Sequence, residues 1–471
     1  MRLLSLLIPM LLFFSCQSHH SPTPRPPNIV LIFCDDLGYA DVPGFGPGPA
    51  CPMPNLDRLA KQGQSLTNFH VAQAVCSASR CALMTGCFPN RLGISGALGP
   101  KSKTGLNPDE EILPECLKPA GYHSAIFGKW HLGDAPAFLP CAQGFERWTG
   151  IPYSNDMSPY RYGETSNSGH PPLYLFEDDK PLRELASIQD QEALTGLLTQ
   201  RTCEFIRTHK SEPFFVYLPH PMPHTPIVAS KPFQGLGPKA IDDTLREIDA
   251  SVGSILDTLE ELKLADNTIV IFTSDNGPWR NFGEWAGSCA PLREGKGTSF
   301  EGGVRVPCLI KWPGVTRPGS RNDKLAATID LLPSLVQAAG GRLPEKTIDG
   351  QDIRALLADP SLPSPHASYP VYYRKNHLEA ITDGRFKLVF PHVSRSYQGV
   401  APGRNNQPGK YAEVNQPLAL YDLAEDIGET RDVQDRHPEV MARLQQAAAE
   451  WRRRLGDKGK PGSENRAPGK L

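Results

Sequence analysis

The chain has 471 residues, with 49 Lys and Arg against 51 Asp and Glu and a formal net charge of -2 at pH 7. Charge this close to balance gives no global basic field for nucleic acid and no acidic-tail signature, so any charge logic is local. The length predicts one large domain with a smaller one, and 47 Pro with 42 Gly predict ordered loops between elements rather than a helical bundle.

Arg2, the apolar run Leu3 to Phe14, and then Ser15, Cys16 and the polar Gln17 to His20 read as an export signal over residues 1–16. The run is too short to span a bilayer, and no later segment is long and apolar enough to do so. Phe13-Phe14-Ser15-Cys16 is similar to a loose bacterial lipobox, which would make Cys16 a lipid anchor; cleavage without a lipid is the alternative. Both place the protein in the periplasm or at the cell surface. Eleven cysteines in an exported chain ordinarily suggest disulfides, but their spacing shows no framework. Without Cys16 and Cys76 their number is odd, so at least one thiol is free or pairs outside the chain. No CxxC pair occurs, which argues against structural zinc.

A linker, residues 17–27, leads to Asn28-Ile29-Val30-Leu31-Ile32-Phe33, a continuous apolar run typical of a strand buried on both faces, which stops at Asp35-Asp36. Cys76-Ser77-Ala78-Ser79-Arg80 opens a short helix, and Ser124 to Phe127 is strand-like and leads into Gly128-Lys129-Trp130-His131. Pro213 to Leu218 is a second buried run, ending near His220 and His224. Thr268 to Phe272 is a third, ending in Asp275-Asn276-Gly277. Between them Ile241 to Lys263 carries Ile248, Val252, Ile255, Leu256 and Leu259 on one helical face. Strands alternating with helices predict a mixed α/β sheet whose ligands gather beyond the carboxyl ends of the strands, so the polar clusters should meet in one cleft. This catalytic domain is expected over 28–363. A small α+β unit is expected over 364–455, with strands at Ala380 to Thr382, Phe386 to Phe390 and Leu420 to Leu423 and a helix from Pro438 to Leu455. Residues 456–471, polar and rich in Gly, Pro and Lys, are expected to be disordered.

Taken alone, a Cys at a helix start is a candidate activated thiol or a buried structural residue. The stretch Cys76 to Gly86, however, resembles the formylglycine-dependent (type I) sulfatase signature Cys-x-Pro/Ala-Ser-Arg with Thr-Gly following, Ala78 standing where Pro is commoner. The resemblance implies that a formylglycine-generating enzyme oxidises Cys76 to formylglycine during maturation. Its hydrated diol would attack sulfur and then expel sulfate, with Arg80 holding the diol and the anion. It further implies one Ca2+ ion held by residue 76 with Asp35, Asp36, Asp275 and Asn276, a hard-oxygen set suited to calcium or magnesium. Each acidic pair also has a bland reading as a cap or a turn. Lys129 and His131 match a second family element, as sulfate ligand and as the base that expels sulfate. His224, in Pro223-His224-Thr225-Pro226, matches a third and would contact sulfate and protonate the leaving alcohol. Lys296, in Arg293 to Gly303, would bridge the sulfate and the leaving oxygen, and Asp275 would act as base toward the diol.

Gly150 to Asp156 is similar to a segment near the active site in the arylsulfatase A and N-acetylgalactosamine-6-sulfatase branch. Asn155 and Asp156 could therefore hydrogen-bond a sugar, with a structural loop as the alternative. Trp279 could stack on a sugar face or pack, and His220 matches no element. The resemblance covers nearly the whole mature chain and implies an alkaline-phosphatase-like α/β sandwich with a small C-terminal antiparallel sheet. The implied substrate is a sulfated carbohydrate, a galactose or N-acetylgalactosamine unit of a polysaccharide or glycosaminoglycan. Two rivals stand: a phosphohydrolase of the same superfamily, and an inactive sugar-binding protein on the same fold.

Overall fold

The computed structural model describes residues 25–160 and 169–471, so the export signal and Cys16 lie outside the described residues. The large sheet is built, in chain order, from β1 (Asn28–Cys34), β2 (Gln64–His70), β3 (His123–Lys129), β4 (Arg147–Ile151), β5 (Tyr174–Glu177), β6 (Lys180–Glu184), β7 (Phe214–Pro219), β8 (Thr268–Ser274), β9 (Arg305–Lys311), β10 (Ser320–Asn322) and β11 (Ala326–Ala327). Their order is β10-β2-β9-β8-β1-β7-β3-β4-β5-β6, with β11 beside β2. The central strands β8, β1, β7, β3 and β4 are parallel, while β9, β5 and β6 enter antiparallel toward the two edges.

Continuous apolar sequence in β1 follows from burial on both faces. Ile29, Leu31 and Phe33 enter one core and Val30, Ile32 and Cys34 the other, in the two-residue alternation of a strand. Each such side chain contributes roughly 1.5–3 kcal/mol. Helices α1 (Pro54–Gln62), α2 (Cys76–Thr85), α3 (Leu194–Thr208), α4 (Ala240–Glu261) and α5 (Leu331–Ala339) flank the sheet. Ile248, Val252 and Ile255 of α4 pack on the Val30 side, whereas α2 and α5 pack on the Ile29 side.

The C-terminal part carries β12 (Tyr369–Tyr373), β13 (His377–Thr382), β14 (Phe386–Val389), β15 (His392–Ser396), β16 (Ala412–Gln416), β17 (Ala419–Asp422) and helix α6 (Pro438–Leu455). Four strands form an antiparallel sheet in the order β12-β13-β14-β17, and β15 pairs with β16 as a separate ribbon. Tyr369, Val371, Leu388, Leu420 and Leu444 join the same apolar cluster as α2 and α5. The alkaline-phosphatase-like α/β architecture with a C-terminal antiparallel sheet is thus the observed one.

Residues 456–471 correct the expectation of disorder. Arg466 donates to Glu110 at 2.8 and 2.9 Å, and Glu464 pairs with Arg91 at 3.0 Å and Arg454 at 2.9 Å. Gly469–Lys470 pairs antiparallel with Thr104–Gly105. Charged side chains meeting buried Arg91 and Glu110 hold this polar segment, a source of order that composition does not reveal.

Candidate active site

Parallel strands place their carboxyl ends along one edge, and each delivers polar residues there: Asp35 and Asp36 after β1, Asp275 and Asn276 after β8, His224 beyond β7, Lys129 and His131 at β3, and Ser154 to Asp156 after β4. Helix α2 aims its first residue, Cys76, into the same place. Val75 caps it in extended conformation, and Gly86 ends it at φ 67, a left-handed turn suited to glycine.

Cys76 is buried, its Sγ 3.3 Å from Asp35 Oδ1 and 3.3 Å from Lys296 Nζ. Burial, then Asp35, push the thiol well above its ordinary range against Lys129 and Lys296, so the encoded side chain carries its proton. Arg80, one turn on, donates to Asp275 Oδ2 through Nε at 3.1 Å and Nη2 at 2.8 Å, and to the Lys129 carbonyl at 3.1 Å. Lys129 Nζ donates to Asp35 and, at 3.1 Å, to Ser154 Oγ. Lys296 Nζ lies 2.7 Å from Asp36 Oδ1 and 4.7 Å from the centre of the Trp279 ring. Burial works against the charge on Lys296, but Asp36, Cys76 and Asp35 lift its pKa well above the ordinary value. For Asp35, burial is likewise overcome, by Lys129, His224 and Arg80, and its pKa falls well below the usual range.

His224 is fixed by an Nδ1 contact to the Thr225 carbonyl at 2.6 Å, leaving Nε2 3.6 Å from Asp36 Oδ2. His131, at φ 63, donates Nε2–H to the Leu98 carbonyl at 2.9 Å, and its buried Nδ1 has no protein partner. Burial, then Lys129 and Arg80, depress its pKa well below the ordinary value, so this imidazole is neutral with a free lone pair on Nδ1.

A metal fits this donor set. One ligand atom each from Asp35, Asp36, Cys76 and His224 lies within 4.8 Å of the others. Asn276 sends its amide nitrogen to Asp36 Oδ1 at 2.7 Å while its buried Oδ1 has no partner. A buried oxygen without a donor is costly unless a cation or water takes it.

These groups face a cavity of about 270 Å3, which Cys76, His131, His224, Lys296, Ser154, Asp156 and Trp279 line. Asn155 does not reach it: its amide nitrogen turns to Gln191 Oε1 at 3.3 Å and the His224 carbonyl at 3.4 Å, so it braces the histidine loop. His220 is also internal, 3.1 Å from Ser251 Oγ. Asp275, expected as the base, is engaged by Arg80, and the carboxylate touching the Cys76 sulfur is Asp35. Sequence reasoning missed Ser154, Tyr373 and Arg395. The last two come from the C-terminal part and join the cavity wall. The ten cysteines among the described residues are all free thiols.

Residues 27–341 match the sulfatase family and residues 364–465 the C-terminal region of aryl-sulfatase. The chain is 37% identical over 440 residues to arylsulfatase A of Bos taurus, covering 90% of this chain and 86% of that protein. It is 37% identical over 409 residues to N-acetylgalactosamine-6-sulfatase of Homo sapiens, covering 83% and 76%. Among solved structures, the PsFucS1 sulfatase from Pseudoalteromonas sp. superposes with a TM-score of 0.80 at 25% identity, covering 90% of each chain.

Proposed function

The chain belongs to the sulfatase family and is a sulfuric ester hydrolase, and from that premise we propose that it releases inorganic sulfate from a sulfated carbohydrate through formylglycine made from Cys76. Galactose or N-acetylgalactosamine units of a polysaccharide or glycosaminoglycan are the preferred substrates, in line with the N-acetylgalactosamine-6-sulfatase likeness. Export to the periplasm or cell surface, a lipid at Cys16, and a maturation enzyme as partner belong to the same proposal.

One observation carries it: a Cys in the Cys-x-Ala-Ser-Arg context opens a buried helix with its sulfur against both a carboxylate and a lysine. When present, formylglycine supplies a hydrated aldehyde whose oxygens serve as nucleophile and then as the group that drives sulfate out. Asp35, Asp36, Asp275, Asn276 and residue 76 would hold a calcium ion, which would supply positive charge to the anion.

The chain's own residues do the rest. Arg80, Lys129 and Lys296 are set rigidly by their carboxylate partners, so their positive charge is preorganised where sulfuryl transfer builds negative charge. Asp275, whose pKa burial and then Asp35 raise to about 7, accepts the nucleophile's proton. His131 Nδ1, unpartnered and neutral, accepts the proton whose loss expels sulfate. His224 or Lys296, both on the cavity wall, protonates the leaving alcohol. Trp279 and Asp156 complete the wall that meets the sugar.

Sulfate release from an aryl sulfate and from 6-sulfated N-acetylgalactosamine, measured on protein co-produced with a formylglycine-generating enzyme, tests the proposal. Turnover that disappears in Cys76→Ala supports it; equal turnover in that variant removes it.

A further inference from the structure

We propose that Arg395 forms a second anion-binding subsite in the wall of the catalytic cavity, so that the preferred substrates carry another acidic group beside the scissile sulfate. That group is a further sulfate or a uronate carboxylate on the same or the adjoining sugar. The inference rests on the sulfatase reading of Cys76.

Arg395 lies on β15 and shares the cavity with Cys76 and Lys296. Its Nη1 is 2.7 Å from the point a Cβ on Gly297 would occupy, and the Tyr373 hydroxyl is 3.0 Å from the same point. Gly297, at φ 78, thus brings the backbone beside Lys296 close under the guanidinium, where no side chain could intervene.

The other cations at the site are committed: Arg80 to Asp275, Lys129 to Asp35 and Lys296 to Asp36. Arg395 is not. Among the described residues no carboxylate comes within ion-pair distance of it. Its neighbours are the Tyr397 hydroxyl at 3.5 Å and the Tyr411 ring at 4.1 Å, and its buried Nε has no partner. Glu413 sits opposite Arg395 in the ribbon register, yet its carboxylate pairs with Arg374 at 2.9 Å. Asp156, the remaining carboxylate of the cavity wall, is among the charges that raise the pKa of His224, after Asp36 and Asp35.

A guanidinium half sunk among tyrosines, with an unmet N–H and no counter-charge, bears a desolvation cost that an incoming oxyanion would offset. Its planar fork suits the paired oxygens of a sulfate or carboxylate. Tyr411, stacked on the guanidinium and 43% exposed, holds that fork in one plane. The scissile sulfate already has Lys129, Lys296 and the helix start, so Arg395 is left for a second anion.

The test compares kcat/KM of matured wild type, Arg395→Ala and Arg395→Lys on three sugars. These are 6-sulfated N-acetylgalactosamine, the same sugar with a second sulfate, and the monosulfated sugar joined to a uronate. The wild type should prefer one or both doubly acidic substrates, and Arg395→Ala should cut that preference about 10- to 100-fold, chiefly through KM. Arg395→Lys should recover part of it, and Glu413→Gln should leave it in place. Which of the two doubly acidic sugars responds identifies the second anion as sulfate or carboxylate. Equal losses on all three would mean that Arg395 serves the scissile sulfate or the fold, and a wild type without preference would overturn the subsite outright. Binding of the disulfated sugar to Cys76→Ala protein, with and without Arg395→Ala, gives a readout independent of turnover, and equal affinities would refute the proposal. A wild type that binds the sugar through Arg395 but releases no sulfate would instead sink the sulfatase reading.

Discussion

Replacing Lys387 with methionine removes the cation that joins two buried carboxylates between the catalytic and C-terminal parts. Lys387 Nζ lies 2.9 Å from Glu301 Oε1 and 3.0 Å from Glu429 Oε1, all three side chains fully buried. Glu301 has other partners, His70 at 3.2 Å and Arg305 at 3.3 Å. Burial raises its pKa, but Lys387, His70 and Arg305 bring it well below the usual range. Glu429 is held up at about 7, chiefly by burial and by Glu301, against the pull of Lys387. Breaking a buried pair by removing one member costs about 3–5 kcal/mol, and methionine keeps the volume, so the charge change dominates. The folded-state pKa of Glu429 is raised. Its proton-linked stability is therefore fully present below the unfolded value near 4.5 and is lost as pH rises through about 7. Without Lys387 the folded value rises further, so Lys387→Met should lose more at pH 8 than at pH 5.5. Adding Glu429→Gln should recover part of the pH 8 loss. Urea unfolding followed by tryptophan fluorescence at both pH values checks this. A loss below about 1 kcal/mol at pH 8, or a larger loss at pH 5.5, would refute the reasoning.

Lys296→Ala should lower kcat roughly 10²- to 10³-fold and, by leaving buried Asp36 without its lysine, lower the unfolding midpoint as well, so that kcat is compared on folded protein; activity within a factor of about 10 would remove Lys296 from the chemistry. Chelation should abolish turnover, and calcium should restore it and raise the thermal midpoint. Asn276→Ala should need more calcium for both, whereas indifference to chelation in wild type would take Asp35, Asp36, Asp275 and Asn276 out of the metal role. Ending the chain at Leu455 takes Arg466 from Glu110 and Glu464 from Arg91, which keep Lys346 and Asp349 as partners, and should cost about 1–3 kcal/mol; an unchanged urea midpoint would show that the segment does not dock.

Much of the site could be read along the chain because parallel strands convert sequence position into spatial position. Asp35-Asp36 and Asp275-Asn276 follow fully buried runs, and β1 pairs with β8 in register from Asn28 against Thr268 to Cys34 against Ser274. The two acidic pairs therefore have to meet. Arg395 and Tyr373 carry no such signal, because they reach the cavity from antiparallel pairs in the C-terminal part, Tyr373 opposite His377 and Arg395 opposite Glu413, and nothing in those local pairings marks which side chains meet the distant catalytic edge. Asn155 and Asp156 are adjacent, yet the loop after β4 turns one inward to Gln191 and the other to the cavity. The docked segment after Leu455 was illegible for a similar reason: it is held largely by polar contacts to residues more than 350 positions away, such as Arg466 to Glu110 and the pairing of Gly469–Lys470 with Thr104–Gly105.

Position 76 bears the central claim, and the tryptic peptide from Gln62 to Arg80 isolates it. Mass spectrometry of that peptide, from protein made with a formylglycine-generating enzyme, should find the Cys76 sulfur replaced by an aldehyde oxygen and the peptide captured by a hydrazide probe. Sulfate release should rise in step with the converted fraction. Turnover of a sulfated sugar by protein in which residue 76 is still entirely a thiol would contradict the account.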